Sequence, residues 1–171
     1  MQYLPLKDVQ SPLNFDCGDE DLNGFLLEDA PFYNAQMLAH TYVFTEGTDV
    51  VAYYSVLNDK ISQTDLDKSL WRKLRKQIPH EKHYDSYPAV KIGRLAVSKK
   101  YRGQHIGTQI LKLIKGKFLA NIEHSACRFI TVDAYREAVN FYVQNGFLPL
   151  LKEVPEDKPT IPLYFDLMRA L

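Results

Sequence analysis

The stretch from Lys91 to Phe118 admits few folds, because its hydrophobic period changes across a short glycine-containing loop. Lys91-Ile92-Gly93-Arg94-Leu95-Ala96-Val97 mixes alternation with β-branched apolar residues and predicts a strand. Ile106, Ile110, Leu113, Ile114 and Phe118 recur at helical spacing, with Thr108, Gln109, Lys112, Lys115 and Lys117 on the other side. Between the two lies Tyr101-Arg102-Gly103-Gln104-His105-Ile106-Gly107-Thr108, a basic loop that opens the helix. Such a loop presents free main-chain N–H groups at the positive end of a helix dipole, a site for phosphate or pyrophosphate. The dipole end is equivalent to about half an elementary charge, and Arg102 adds a full one. The segment points to a phosphorylated cofactor.

What the loop lacks narrows the choice. A P-loop ends in Gly-Lys-Ser or Gly-Lys-Thr, whereas Gly107 is followed by Thr108 and Gln109, so the lysine for a terminal phosphate is missing. The glycine spacing G-x-G-x-x-G of dinucleotide folds is also absent. The loop resembles the acyl-coenzyme A pyrophosphate loop of the GCN5-related N-acetyltransferases (GNAT), written Q/R-x-x-G-x-G/A. Arg102 fills its first position and Gly107 its last, while His105 stands where that family usually has glycine. A second segment, Asp133 to Phe147, is similar to the family's A-x-x-F-Y-x-x-x-G-F signature through Ala138, Phe141, Tyr142, Gly146 and Phe147. The two motifs stand in the family's order and at a family-like separation.

Composition sets ordinary bounds. At 171 residues and 46% hydrophobic, the chain suffices for one core and predicts a single domain, residues 1–171. Formal net charge is zero, which advertises neither nucleic acid nor membrane. Cys17 and Cys127 form no C-x-x-C pattern and no disulfide framework, so free thiols in a reducing compartment are expected. The N-terminus, Met1 to Asp8, lacks a signal peptide's apolar stretch, and no run reaches membrane-spanning length; the expectation is a cytoplasmic protein with no membrane partner.

A pass along the chain yields a short opening strand within Tyr3 to Asp8 and a helix that starts at Asp19-Glu20-Asp21, acids in its first turn. Pro31 is read as an interruption, leaving residues 32–40 as a second helix or an ordered loop. Strands at residues 41–45 and 50–57 are joined by the turn Glu46-Gly47-Thr48-Asp49. In the less regular section 59–89, Lys68, Arg72, Lys73, Arg75, Lys76 and Lys82 surround Leu70, Trp71 and Leu74, as in a short amphipathic helix. Then come the cofactor strand and helix, a strand at residues 128–132, a helix from about Glu137 to Gln144, and closing strands at 148–151 and 162–167. The order is similar to a whole acetyltransferase domain. The resemblance therefore implies an α/β (α+β) fold with a mixed, largely antiparallel central sheet flanked by helices.

The chemistry follows from the same resemblance. It implies an acetyl-CoA-dependent N-acetyltransferase with no metal, in which the pantetheine arm pairs with main-chain groups of Leu95, Ala96 and Val97 like an added strand. Arg102, Gly103, Gln104, His105, Ile106, Gly107 and Thr108 would surround the pyrophosphate. If position 105 needs a positive φ, histidine is among the non-glycine residues that tolerate it; a cationic imidazole aiding phosphate and a solvent-facing one are both open readings. The resemblance places the acid that protonates the departing thiolate at Tyr142. Tyr135 occupies a place where many relatives carry asparagine. His40, His124 and Asp133 can be named as bases, but no spacing singles one out.

The phrase Phe15-Asp16-Cys17-Gly18-Asp19-Glu20-Asp21-Leu22-Asn23-Gly24-Phe25-Leu26 resembles a branch of bacterial acetyltransferases that includes toxins acting on aminoacyl-tRNA. The acceptor is thus read as a primary amine on a small molecule, peptide or aminoacyl group, with tRNA as an alternative partner and a homodimer as one assembly state. A solvated face is the alternative meaning of the 68–82 basic cluster, and zero net charge weighs against strong tRNA binding. A non-catalytic acyl-CoA sensor is the rival from another class; the intact Tyr142 argues against it.

Overall fold

The computed structural model describes residues 1–9, 13–78, 84–121 and 126–170. Seven strands are hydrogen-bonded in the order β1-β2-β3-β4-β5-β7-β6, and helices accompany them, the mixed architecture expected. Each of the four neighbouring pairs with a described register is antiparallel. The chain divides into two compact units, one of residues 1–57 and 92–114, the other of residues 58–91 and 115–171.

The first unit holds β1 (Gln2–Pro5), β2 (His40–Glu46), the start of β3 (Asp49–Ser62) and the end of β4 (Ser86–Val97). In register, Tyr3 faces Phe44 and Val43 faces Tyr53, with an irregularity between Phe44 and Thr45. The β2–β3 turn uses Gly47 at φ +62°, in the left-handed region that glycine enters at no steric cost. β3 runs five residues past the expected end at Leu57. The opening strand is shorter than its expected span, giving way to a 3₁₀ turn at Leu6–Asp8. Helix α1 (Glu20–Gly24) is capped by Asp19, whose carboxylate accepts from Leu22 N at 3.0 Å. It continues through a π-helical segment, Phe25–Asp29, into α2 (Ala30–Ala35). Pro31 therefore does not interrupt the helical run; it stands directly after the π segment, as the second residue of α2. The apolar side of this run meets the sheet in a core of Phe15, Cys17, Phe25, Leu26, Val43, Tyr53 and Ala96, among others.

In the second unit, α3 (Lys68–Lys76) buries Trp71 and Leu74, as its amphipathic pattern predicts. They pack with Ile61, Tyr87, Phe129, Leu150 and Tyr164. β5 (Phe129–Tyr135) pairs with β7 (Thr160–Asp166), Thr131 opposite Tyr164, and β7 pairs with the two-residue β6 (Leu148–Pro149). Arg128 Nη2 donates to the buried Asp166 carboxylate at 2.9 Å, tying the approach to β5 to the end of β7. Helix α5 (Val139–Gln144) follows a 3₁₀ turn at Arg136–Ala138. Among the described residues, no helix is long and apolar enough to cross a membrane.

Candidate cofactor cradle and active-site tyrosine

The end of β4 is fixed on both sides. Ser98 N donates to Val51 O and Lys99 N to Asp16 O, each at 2.9 Å. Leu95 and Val97 are half-buried and Ala96 is in the core, so side chains alternate while the main chain runs past them. A 3₁₀ turn, Lys99–Tyr101, then leads through Arg102 into α4 (Ile106–Ala120). Between these elements Gly103 has φ +79° and His105 φ +57°. Position 105 thus requires the conformation that glycine supplies most cheaply, and histidine adopts it. His105 also starts the helix, its carbonyl accepting from Gln109 N at 3.1 Å. The N–H groups of a helix's first turn have no partner within it, and two left-handed positions just before them curl the chain into a concave nest suited to an anion. Gly103, Gln104 and His105 are exposed, Ile106 is buried, and Gly107 and Thr108 are half-buried.

Arg102 is not simply a surface cation. Its Nη2 donates to the carbonyl of Cys17, in the N-terminal phrase. That phrase folds into a turn that braces the loop. Asp16 accepts from Gly18 N at 2.7 Å, from Asn23 Nδ2 at 3.2 Å and from Lys99 Nζ at 3.2 Å. The bonds from Asn23, Gly18 and Lys99, in that order, hold the Asp16 carboxyl below the usual carboxylate range. On another side, Lys100 Nζ meets the Asp49 carboxylate at 2.6 Å and Tyr101 donates to Glu46 at 3.2 Å. Both acids flank the β2–β3 turn. Asp16, Asn23, Glu46 and Asp49 are the supporting residues that a motif-based reading misses. Asp16 and Asn23 belong to the phrase around Gly18, and Glu46 and Asp49 to the turn at Gly47; neither stretch carries a signal for its partner in the loop.

The second unit carries Tyr142 on α5. It is buried, at 6% exposure, with the rings of Phe141 and Phe147 edge-on at 5.1 and 5.4 Å. Burial alone pushes its phenol above the ordinary tyrosine range, which already lies well above neutral pH, so the hydroxyl carries its proton there. Gly146, at φ +85°, ends the helix and returns Phe147 N to Tyr142 O at 3.1 Å. Lys115 Nζ donates to Asn145 O at 2.6 Å and lies 3.8 Å from the Phe165 ring centre. Burial lowers the Lys115 pKa, with the charge of Arg169 adding to the effect. The helix exit is thus pinned from outside.

The named bases gain little. Asp133 is exposed and ion-paired with Lys91 at 2.5 Å. His40 is exposed at the start of β2, Tyr135 is half-buried at the end of β5, and His124 and Lys82 lie outside the described residues. Among the described residues, no group of three or more His, Cys, Asp or Glu side chains is placed to hold a metal ion.

Residues 39–149 match the family model of the acetyltransferase (GNAT) domain. Over 164 residues, 95% of this chain and 89% of the relative, the chain is 25% identical to a tRNA-acetylating toxin of Mycobacterium tuberculosis (strain ATCC 25618 / H37Rv). Among solved structures, AtaT complexed with acetyl-methionyl-tRNAfMet superposes with a TM-score of 0.77 at 24% identity, over 99% of this chain and 96% of that one. AtaTR bound with AcCoA gives 0.75 at 23% identity, over 98% and 94%. At these identities the two structures establish a shared fold.

Proposed function

The chain belongs to the GNAT family of acetyltransferases, and on that premise we propose that it moves the acetyl group of acetyl-CoA to the α-amino group of an aminoacyl-tRNA. Acetyl-CoA supplies an activated acyl thioester. Main-chain groups of Leu95, Ala96 and Val97 would orient its arm, and Arg102 through Thr108 would hold its pyrophosphate. The fit rests on the nest at Gly103 and His105, whose geometry suits an oxyanion. Tyr142 would donate its phenolic proton as the thiolate departs; a phenol carries that proton at neutral pH, and burial raises its pKa further. The amine must lose a proton before it attacks, and no single side chain is assigned that task.

The observation that carries the acceptor assignment is the end-to-end likeness to the tRNA-acetylating relative. It spans 95% of this chain, beyond the matched GNAT model, which begins at residue 39. Charge distribution supports the same reading. From Asp8 to Asp59 the chain carries ten carboxylates and no lysine or arginine, whereas Lys60 to Lys76 carries six cations against two carboxylates. Zero net charge therefore conceals strong segregation. On α3, Lys68, Arg72 and Lys76 are exposed at i, i+4 and i+8, one above another on a single face. Among the described residues none of them forms an ion pair. Such a stripe is free to meet a phosphate backbone.

The test is acetylation of a mixture of charged tRNAs with labelled acetyl-CoA, beside polyamines and free amino acids. Label is expected on the charged tRNA, released when the aminoacyl ester is hydrolysed. Label on polyamines, with none on any charged tRNA, would overturn the acceptor while leaving the acetyltransferase.

A further inference from the structure

Arg94 lies in β4 one residue before the segment assigned to the pantetheine arm, and its guanidinium is held in place while, among the described residues, its Nε has no hydrogen-bond partner. Its central carbon stands 5.1 Å above the Phe25 ring. Phe25 is itself held, stacked on Tyr53 at 6.3 Å and edge-on to Tyr33 at 5.6 Å, while Tyr53 donates to Leu22 O at 2.7 Å. Nη1 donates to the carbonyl of Gly93 at 2.9 Å. Nη2 is 3.6 Å from the Asp21 carboxylate, an ion pair too long for a hydrogen bond. Nε is buried and, among the described residues, has no hydrogen-bond partner.

Those last two groups form the side of the guanidinium that carries two parallel N–H bonds, the geometry that matches an oxyanion or a polarised carbonyl. A buried donor without a partner is costly in the resting protein and calls for an explanation. The pyrophosphate is assigned to Gly103 to Thr108, which leaves this edge, with its buried Nε and its long contact from Nη2 to Asp21, for the other substrate. An aminoacyl-tRNA presents oxygen acceptors close to its amine: the acyl carbonyl and the terminal phosphate. An alkyl amine presents neither.

We propose that Arg94 is an acceptor-binding residue, whose Nε–Nη2 edge takes an oxygen of the acyl carbonyl or the terminal phosphate beside the reacting amine. This rests on the aminoacyl-tRNA reading. The two bonds hold the acceptor equally before and during attack, so they act on binding, and Arg94 moves no proton.

The experiment compares Arg94→Gln and Arg94→Lys with the wild type on charged tRNA and on puromycin, an aminoacyl nucleoside with a free α-amine and no phosphate. Acetyl-CoA affinity and thermal midpoint are read alongside, and puromycin binding is measured by calorimetry so that this arm does not need turnover. Arg94→Gln is expected to raise the KM for charged tRNA about tenfold or more, the loss of one bidentate pair. kcat and acetyl-CoA affinity should stay within about twofold. Arg94→Lys, which keeps the charge but not the fork, should keep the thermal midpoint and still raise KM severalfold. A parallel loss with puromycin assigns the carbonyl; a loss confined to charged tRNA assigns the phosphate. Unchanged KM in both variants, or acetyl-CoA affinity falling in step, would overturn the proposal. A wild type that acetylates no charged tRNA removes the function proposed above; Arg94 is then judged by puromycin binding, and equal or absent binding in wild type and variant overturns it as well.

Discussion

Tyr142 owes its usefulness to its surroundings. Three rings, its own and those of Phe141 and Phe147, meet edge-on around α5, and burial raises the pKa of the phenol. In the proposed acid role its hydroxyl would matter only as sulfur takes up charge, so Tyr142→Phe is expected to lower kcat by on the order of a hundredfold. Acetyl-CoA affinity, read by calorimetry, should be nearly unchanged; unchanged turnover would reduce Tyr142 to packing. His105 makes the complementary point. Its place in the loop is legible from the spacing to Arg102 and Gly107, and the tolerance of histidine for positive φ is a general property. That this position actually needs φ +57° is not written in any periodicity.

The element that sequence patterns reveal least is the brace. Strand β4 and helix α4 announce themselves because each has its own period, one near two residues and the other near 3.6. The turn around Gly18 has none. It touches the loop through a bond from Arg102 to the Cys17 carbonyl, across 85 positions of chain. Local composition cannot encode such a partner. Two nearby glycines should therefore respond in opposite ways. Gly18 has φ +83°, and a Cβ there would stand 2.3 Å from Lys99 Cε, displacing the side chain that pairs with Asp16. Gly18→Ala is expected to cost about 1–2 kcal/mol and to weaken acetyl-CoA binding severalfold. Gly24 lies in α1 with nothing within 4 Å of its added Cβ. Gly24→Ala should stabilise by up to about 1 kcal/mol. Thermal unfolding of the two variants checks both signs.

At the scale of the molecule, several buried tyrosines set an alkaline limit. Burial raises Tyr53, Tyr54 and Tyr142 above the ordinary range, with the Tyr3 hydroxyl, 2.6 Å from that of Tyr54, adding to the effect there. In the unfolded chain a tyrosine ionises near pH 10. Above that value the unfolded state holds fewer protons than the native one, so stability must fall as pH rises. The thermal midpoint is expected to be flat around pH 8–9 and to drop between about pH 10 and 12. A midpoint unchanged through that window would contradict the burial of these phenols. The fold class was legible because periodic segments mark the elements and their order resembles that of an acetyltransferase domain. The charge segregation was legible too, in the bare order of residues, yet a whole-chain total erases it.

The brace also has a consequence for how the protein is made. Phe15 and Cys17 leave the ribosome long before the residues they support, and Arg102 follows Cys17 by 85 positions. At roughly 5–20 residues per second, that interval is on the order of 4–17 s. For most of it, the aromatic and thiol groups near the start of the chain have no Ala96 to pack against and no loop to hold. The nest proposed to hold phosphate can take shape only after more than half of the polypeptide has emerged. A nascent chain stalled before that point would carry the beginning of the enzyme and none of its grip on the cofactor.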